Sequence, residues 1–332
     1  MKFGVIGSGS WGTAIVKILQ DNGQEVVWCV RSQKMVDHIL SRHHNPKYLS
    51  SVYFSPENLR VTADPAMVYE QADAVVLAVP SAYATAYLDN FSSIILNRKI
   101  SIISAVKGIL PEVNMLLNEY LGGWAGFEQK NYFTIMGPCH AEEVAAEKLS
   151  YLTFAGLDQG QTTSIAAAFK TPYINTIVSQ DVAGVQYAAV LKNIYALGTG
   201  IAHGLGYGDN FQSVLVANAA GEMKRFLNAI REGMGQSIDH AASVYLGDLL
   251  VTCYSLFSRN RSFGNMIGKG YSVEAAKLAM QMVAEGLPAA KCIHEINASA
   301  GAEMPIANTI YAVLWKGEEA AAAFEKLEAA LS

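Results

Sequence analysis

Basic charge is in short supply in this chain. Lysine and arginine together number 24 against 29 acidic residues, a formal net charge of −5, so there is no electrostatic case for binding nucleic acid. Cysteine is also scarce: four occur in 332 residues. They stand at Cys29, Cys139, Cys253 and Cys292, too far apart for metal-ligand spacing, which predicts reduced thiols in a cytoplasmic protein and no metal site. Long apolar runs are missing too. A window such as Ala74 to Leu88 is too short to span a bilayer and contains Pro80, so no membrane insertion is expected. The first strand candidate begins at Lys2, which leaves no room for a secretory leader in the expected reading.

What remains, 51% hydrophobic and 16% charged residues, describes an ordinary globular chain long enough for two domains with cores of their own. Its first thirty residues are the most informative. Lys2 to Ile6 is a short run of β-formers leading directly into Gly7-Ser-Gly9-Ser10-Trp11-Gly12. Thr13 to Gln20 carries apolar residues at helical spacing, Asn22-Gly23 stops it, and Glu25 to Val30 reads as a second strand. A G-x-G-x-x-G that follows a strand and opens a helix sits where dinucleotide chemistry requires it. Gly7 permits the tight turn, Gly9 lets backbone approach a pyrophosphate, and Gly12 packs helix against strand. The helix N-terminus supplies N–H donors. The competing reading is a glycine-rich turn that binds nothing.

An acid is missing where NAD-preferring units usually have one, about 20 residues past the glycines, to hold the ribose 2′-OH. The neighbourhood reads Trp28-Cys29-Val30-Arg31-Ser32. Arg31 suits a 2′-phosphate or stacking on adenine; the bland alternative is an exposed arginine ending a strand. NAD and NADP both stay open.

Further strands are expected at 58–62, 73–80, 100–106, 132–136, 152–156 and 174–178, alternating with helices, the pattern of a doubly wound Rossmann-like sheet. Lys107-Gly108 follows the strand at 100–106, at the end of the sheet where ligands sit in such folds, although a lysine snorkelling outward would look the same. At Asp181 the character changes to helices, roughly 182–203, 211–232, 238–247, 272–285, 288–298, 303–312 and 318–331. The expected organisation is α/β: a dinucleotide-binding domain over 1–180 and an all-helical substrate-binding and catalytic domain over 181–332.

The segment 181–203 is apolar nearly all round, as a buried helix would be, yet Lys192 and Asn193 lie in its middle. The i±4 neighbours of Lys192 are alanines, so nothing on its own helix pairs the ammonium. A lysine taken out of water is costly unless paired or deprotonated. Desolvated and close to a second lysine such as Lys107, it would have the character of a general base. The competing reading is a wet helix face with a solvated lysine. A second cluster follows: a helix-like segment with Asp248 and Thr252, then a loop bearing Ser258, Arg259, Asn260 and Arg261. Hydroxyl, guanidinium and amide donors bunched in this way suit a phosphate, or simply make a solvated basic loop.

Together these segments resemble the bacterial type of the NAD(P)-dependent glycerol-3-phosphate dehydrogenase family over nearly the full length. The resemblance rests on GSGSWGTA at the start, NPKYL at 45–49, AVPS at 78–81, SAVKG at 104–108 and MGPCHAEEV at 136–144. It continues through LKNIYALGTGIAHGLGYGDN at 191–210, GDLLVTCYSLFSRNRSFG at 247–264 and VAEG at 283–286. It implies reversible hydride transfer between sn-glycerol 3-phosphate and dihydroxyacetone phosphate with NAD or NADP, supplying glycerol 3-phosphate for phospholipids, and it allows a homodimer. On matching positions Lys192 is implied as proton acceptor for the C2 hydroxyl, Lys107 polarises the same oxygen, and Asp248 orients the amine. Gly137 and Cys139 line the substrate with Asn193 and Thr252, while Ser258, Arg259 and Asn260 hold its phosphate. Ser10, Trp11, Arg31, Lys107, Ala141, Arg259, Val283 and Glu285 are implied to contact the cofactor.

Three residues depart from the family pattern, at two places. Gly137-Pro-Cys-His-Ala141 replaces the usual Gly-Pro-Ser-Phe-Ala, and Asn218 stands where arginine is common. A β-hydroxyacid or hydroxyacyl dehydrogenase shares the layout but would not need the Ser258–Arg261 donors. A non-catalytic dinucleotide sensor would not need Lys192.

Overall fold

The computed structural model describes residues 1–231, 242–280 and 284–331. Eight strands form one sheet: β1 (Phe3–Ile6), β2 (Val26–Cys29), β3 (Leu59–Thr62), β4 (Ala74–Leu77), β5 (Ser101–Ser104), β6 (Tyr132–Met136), β7 (Ser150–Gly156) and β8 (Ile174–Ser179). Their order is β3-β2-β1-β4-β5-β6-β7-β8. Every residue of β1, β2, β4 and β5 is buried, which explains why these strands read as continuous apolar runs with little alternation. β1 pairs in parallel with β2 on one side and β4 on the other. That is the point where the strand order reverses, and the crevice beyond the carboxyl ends of β1 and β4 is where such sheets bind ligands.

All eight expected strands are present, and the last two run against the other six. β7 pairs antiparallel with β6, and β8 returns parallel to β7. A parallel neighbour needs a crossover of a dozen or more residues, usually a packed helix. The connection from β6 to β7 contains only the five-residue helix Ala141–Ala145, whereas β7 and β8 are joined through the ten-residue helix Gln159–Ala168. The core on this sheet includes Phe3, Trp28, Phe133, Phe154 and Phe169. Phe3 meets Phe169 edge-on at 5.7 Å, a favoured arrangement for aromatic quadrupoles.

The chain divides into two compact units, Met1–Val106 with Met115–Ala183, and Lys107–Asn114 with Gly184–Ser332. The second is helical: Val182–Leu205, Asp209–Ala229, Asp248–Tyr254, Arg259–Gly268, Val273–Ala279, Gly286–Ala300, Pro305–Trp315 and Ala320–Glu328. The long helix Val182–Leu205 is buried at every residue from 184 to 202, as its all-round apolar sequence requires.

Three helical expectations need correction. The helix expected at 238–247 lies partly outside the described residues, and Ser243–Gly247 is a π-type segment running into Asp248–Tyr254. The helix expected at 272–285 stops at Ala279, with 281–283 outside the described residues. The loop expected at Ser258–Arg261 is instead the start of a helix, capped by Ser258, whose Oγ accepts from the Arg261 N–H at 3.3 Å. Weak helix formers such as Asn260, Ser262, Gly264 and Asn265 hid it. Among the described residues no helix is long and apolar enough to cross a membrane.

Candidate active site

In the first unit the glycine turn joins β1 to the helix Ser10–Asp21, with Gly9 as its N-cap. Gly7 has φ +127°, a conformation that favours glycine, and a Cβ there would collide with the Ala78 carbonyl. A Cβ on Gly12 would collide with the Gly7 carbonyl, so helix and turn approach to backbone contact. A Cβ on Gly9 would meet nothing within 4 Å. The open side of the turn therefore lies at Gly9, where a pyrophosphate would need backbone access, and the residues present fit such a group. Ser10 and Trp11 form the first helical turn, and Arg31 is exposed just past β2.

Also in this unit, Gly137 follows β6 with φ +135°, and a Cβ on it would fall 2.6 Å from the Tyr151 carbonyl. The Cys139 thiol is buried and turned to the Gly137 carbonyl at 3.2 Å. Ala141 opens the short helix Ala141–Ala145.

In the second unit Lys192 is 4% exposed, and its Nζ donates to Asp248 Oδ1 at the start of Asp248–Tyr254. Asp248 is 1% exposed, and its Oδ2 is buried with no hydrogen-bond partner among the described residues. The resemblance implied that Asp248 orients this amine, and the two side chains are in contact. A carboxylate from a distant part of the chain compensates the buried charge as an ion pair. Thr252 Oγ donates to the Asp248 carbonyl one turn back, at 2.6 Å, so its proton is engaged within the helix.

A chain of amides runs beside this pair. The Gly286 N–H donates to Asn260 Oδ1 at 2.9 Å, Asn260 Nδ2 to Asn193 Oδ1 at 2.9 Å, and Asn193 Nδ2 to the Lys107 carbonyl at 3.2 Å. Each amide nitrogen carries two hydrogens, so these bonds leave Asn193 and Asn260 a second donor each. Lys107 is half-buried and its backbone is thereby tied to the long helix. Arg259 is exposed at the first turn of Arg259–Gly268, and Glu285 is the half-buried N-cap of Gly286–Ala300. Val283 lies outside the described residues. Asn218 folds its Nδ2 back onto the Val214 carbonyl at 3.0 Å.

Sequence reasoning missed what assembles this site. Gly200 and Gly204 on the long helix face the backbone of Arg259–Gly268, and Gly264 and Gly268 face the long helix: a Cβ on any of the four would collide with main chain across the crossing. The spacing of four between the glycines of each pair was the available signal. Also missed was Glu222, fully buried on Asp209–Ala229, which accepts from the Ile306 and Ala307 N–H groups at 2.8 and 2.9 Å. It caps the helix Pro305–Trp315 from another element. Burial pushes its carboxyl up to about 7, against the pull of those two N–H groups. Among the described residues no group of three or more His, Cys, Asp or Glu is placed to hold a metal ion.

Residues 2–162 match the family described as NAD-dependent glycerol-3-phosphate dehydrogenase N-terminus, and residues 181–325 match its C-terminus. A glycerol-3-phosphate dehydrogenase [NAD(P)+] from Enterococcus faecalis is 32% identical over 322 residues, covering 96% of this chain and 92% of that protein. One from an Exiguobacterium species is 35% identical over 315 residues, covering 95% and 91%. Among solved structures, the glycerol-3-phosphate dehydrogenase of Coxiella burnetii superposes with a TM-score of 0.88 at 26% identity, covering 98% of each chain.

Proposed function

The chain belongs to the NAD-dependent glycerol-3-phosphate dehydrogenase family, and we propose that Lys192 is the residue through which it exchanges the substrate proton. It is an NAD(P)-dependent oxidoreductase acting on a CH–OH group, interconverting sn-glycerol 3-phosphate and dihydroxyacetone phosphate. The family assignment does not favour the hydroxyacid alternative. The observation that carries the role of Lys192 is its buried ion pair with Asp248, on a helix that is mostly apolar. An ion pair in such a place is weak evidence for stability, because well-packed apolar residues would serve as well or better. Its retention points to chemistry.

A bound NAD(P) supplies the hydride acceptor or donor for C2. The chain's own residues do the rest. In the reducing direction the Lys192 ammonium stabilises the charge developing on the C2 oxygen and delivers the proton from Nζ; in the oxidising direction the amine receives it. Asp248 holds Nζ in place through Oδ1 and compensates its charge when protonated. Lys107 is assigned to polarise the same oxygen. Ser258, Arg259 and Asn260, at the N-terminus of a ten-residue helix, hold the phosphate with side-chain donors and helix N–H groups. Gly137, Cys139, Asn193 and Thr252 complete the substrate set. Phosphate binding is remote from C2 and supplies energy for orienting it.

The dinucleotide belongs to Gly7, Gly9, Ser10, Trp11 and Gly12, with Arg31, Lys107, Ala141, Arg259, Val283 and Glu285 as further contacts. The first unit serves as the dinucleotide domain and the second as the substrate domain. All four cysteines are buried thiols, which supports the cytoplasm as location; the homodimer in this reading is checked by light scattering. The functional test follows loss of reduced-nicotinamide absorbance with dihydroxyacetone phosphate, using NADPH and NADH in parallel. Wild type turns over, and Lys192→Ala does not while still binding dinucleotide. No turnover by wild type with either cofactor would overturn the substrate assignment.

A further inference from the structure

Three consecutive carbonyl oxygens of the glycine turn each accept a hydrogen bond from a buried side chain. The Gly7 oxygen accepts from Trp28 Nε1 at 2.9 Å, the Ser8 oxygen from Asn45 Nδ2 at 3.1 Å, and the Gly9 oxygen from Thr13 Oγ at 2.8 Å. Asn45 Nδ2 also donates to Thr13 Oγ at 2.9 Å, so one amide bears on two of the three links. On its other side Asn45 Oδ1 accepts from the Lys47 and Tyr48 N–H groups at 2.9 and 3.1 Å. Trp28, Thr13 and Asn45 are all fully buried. Both donor hydrogens of the asparagine and its acceptor oxygen are thus committed.

A planar trans peptide points its C=O and its N–H to opposite sides, and none of the described peptide bonds is cis. Holding the carbonyls of residues 7, 8 and 9 against Trp28, Asn45 and Thr13 therefore turns the N–H groups of residues 8, 9 and 10 the other way. The open side of the turn is at Gly9, where an added Cβ would meet nothing within 4 Å. We infer that Asn45, assisted by Trp28, is a positioning residue for the dinucleotide: it locks the peptide planes of the turn so that their N–H groups face the pyrophosphate. The inference rests on the dinucleotide reading of this turn given above. It gives the first residue of the NPKYL segment a task that composition does not suggest. A buried asparagine is costly unless every polar atom is satisfied, and here each of its bonds either holds the turn or shapes the loop that carries the amide.

The test compares wild type with Asn45→Asp, Trp28→Phe and Val36→Ala, measuring NADPH and NADH binding by fluorescence titration, steady-state kinetics and Tm. Asn45→Asp keeps the acceptor for Lys47 and Tyr48 and loses both donors; Trp28→Phe removes the donor to the Gly7 oxygen. Val36→Ala is a cavity control in the same core. Asn45→Asp is expected to raise the dinucleotide Kd and KM about tenfold, and Trp28→Phe about threefold. In both, kcat at saturating dinucleotide and the KM for dihydroxyacetone phosphate should stay within about twofold, because only the pyrophosphate cradle changes. Val36→Ala should lower Tm and leave the dinucleotide KM alone. A dinucleotide KM unchanged in both turn variants, or raised equally in the control, would overturn the inference. If Asn45→Asp does not fold, Trp28→Phe decides alone. A wild type that binds neither dinucleotide would instead remove the reading beneath it.

Discussion

Between Gly7 and Gly12 the features that would serve a ligand are main chain: N–H groups, a glycine conformation and the open side at Gly9. Around Lys192 the features are side chains, two of them charged and almost wholly buried, with a chain of amides starting at the next residue. The two sites should fail in opposite ways. Apart from the side chains that hold its peptide planes, a backbone site tolerates the loss of side-chain atoms and is spoiled by adding them on its open side. A side-chain site is spoiled by truncation, and because its charges compensate each other, removing one is worse than removing both.

The largest effect is expected from Lys192→Ala, which should lower kcat by about 10²- to 10⁴-fold, the usual worth of a positioned acid or base. Dinucleotide Kd should hold within about twofold; a parallel loss of binding would break the division between the two sites. Next, Asp248→Ala should cost about 3–5 kcal/mol in denaturant unfolding, because it strands a buried ammonium. The paired replacement Lys192→Met with Asp248→Leu should recover most of that stability and none of the activity. Recovery of turnover would remove the pair from the chemistry.

Glu222 extends the comparison to pH. Its folded-state pKa lies above the ordinary 4.5, at about 7, so its contribution is full below about 4.5 and lost as pH rises through about 7. Unfolding free energy should therefore fall by about 3 kcal/mol across that window relative to Glu222→Gln. Identical pH slopes for the two proteins would show that the buried carboxyl does not titrate there. The smallest effect belongs to the turn. Gly9→Ala should change stability by less than about 1 kcal/mol, since alanine adopts the observed φ of −75° without strain, yet weaken dinucleotide binding about tenfold. Ser10→Ala should weaken it less than about threefold. The reverse ranking would mean that side chains, not backbone, make this site.

What was legible in the sequence follows the same division. The glycine turn could be read because its three glycines stand at fixed spacing between a strand and a helix, and the central strands because burial on both faces leaves continuous apolar runs. Lys192 could be read because a charge inside an apolar helix is anomalous wherever its partner lies. From the helix alone that partner could not be found: Asp248 is remote in sequence, and only the family resemblance pointed to it. The helix Arg259–Gly268 was hidden because its glycines serve contact across a helix crossing, not local propensity. Asn45 and Glu222 escaped for a related reason. Each satisfies backbone groups on a different element, and a short polar residue in a loop or an acid on a helix shows nothing of that from its neighbours.

The short piece Lys107–Asn114 follows strand β5 in the chain but belongs to the helical unit. Its Lys107 carbonyl receives Asn193, and its Asn114 side chain bonds Glu295. A gene cut near residue 180, where composition changes, would encode a helical fragment lacking a stretch of its own fold. The two halves are not interchangeable cassettes. Grafting this helical half onto another nucleotide-binding half would have to carry those eight residues across, as an insertion after the fifth strand of the recipient.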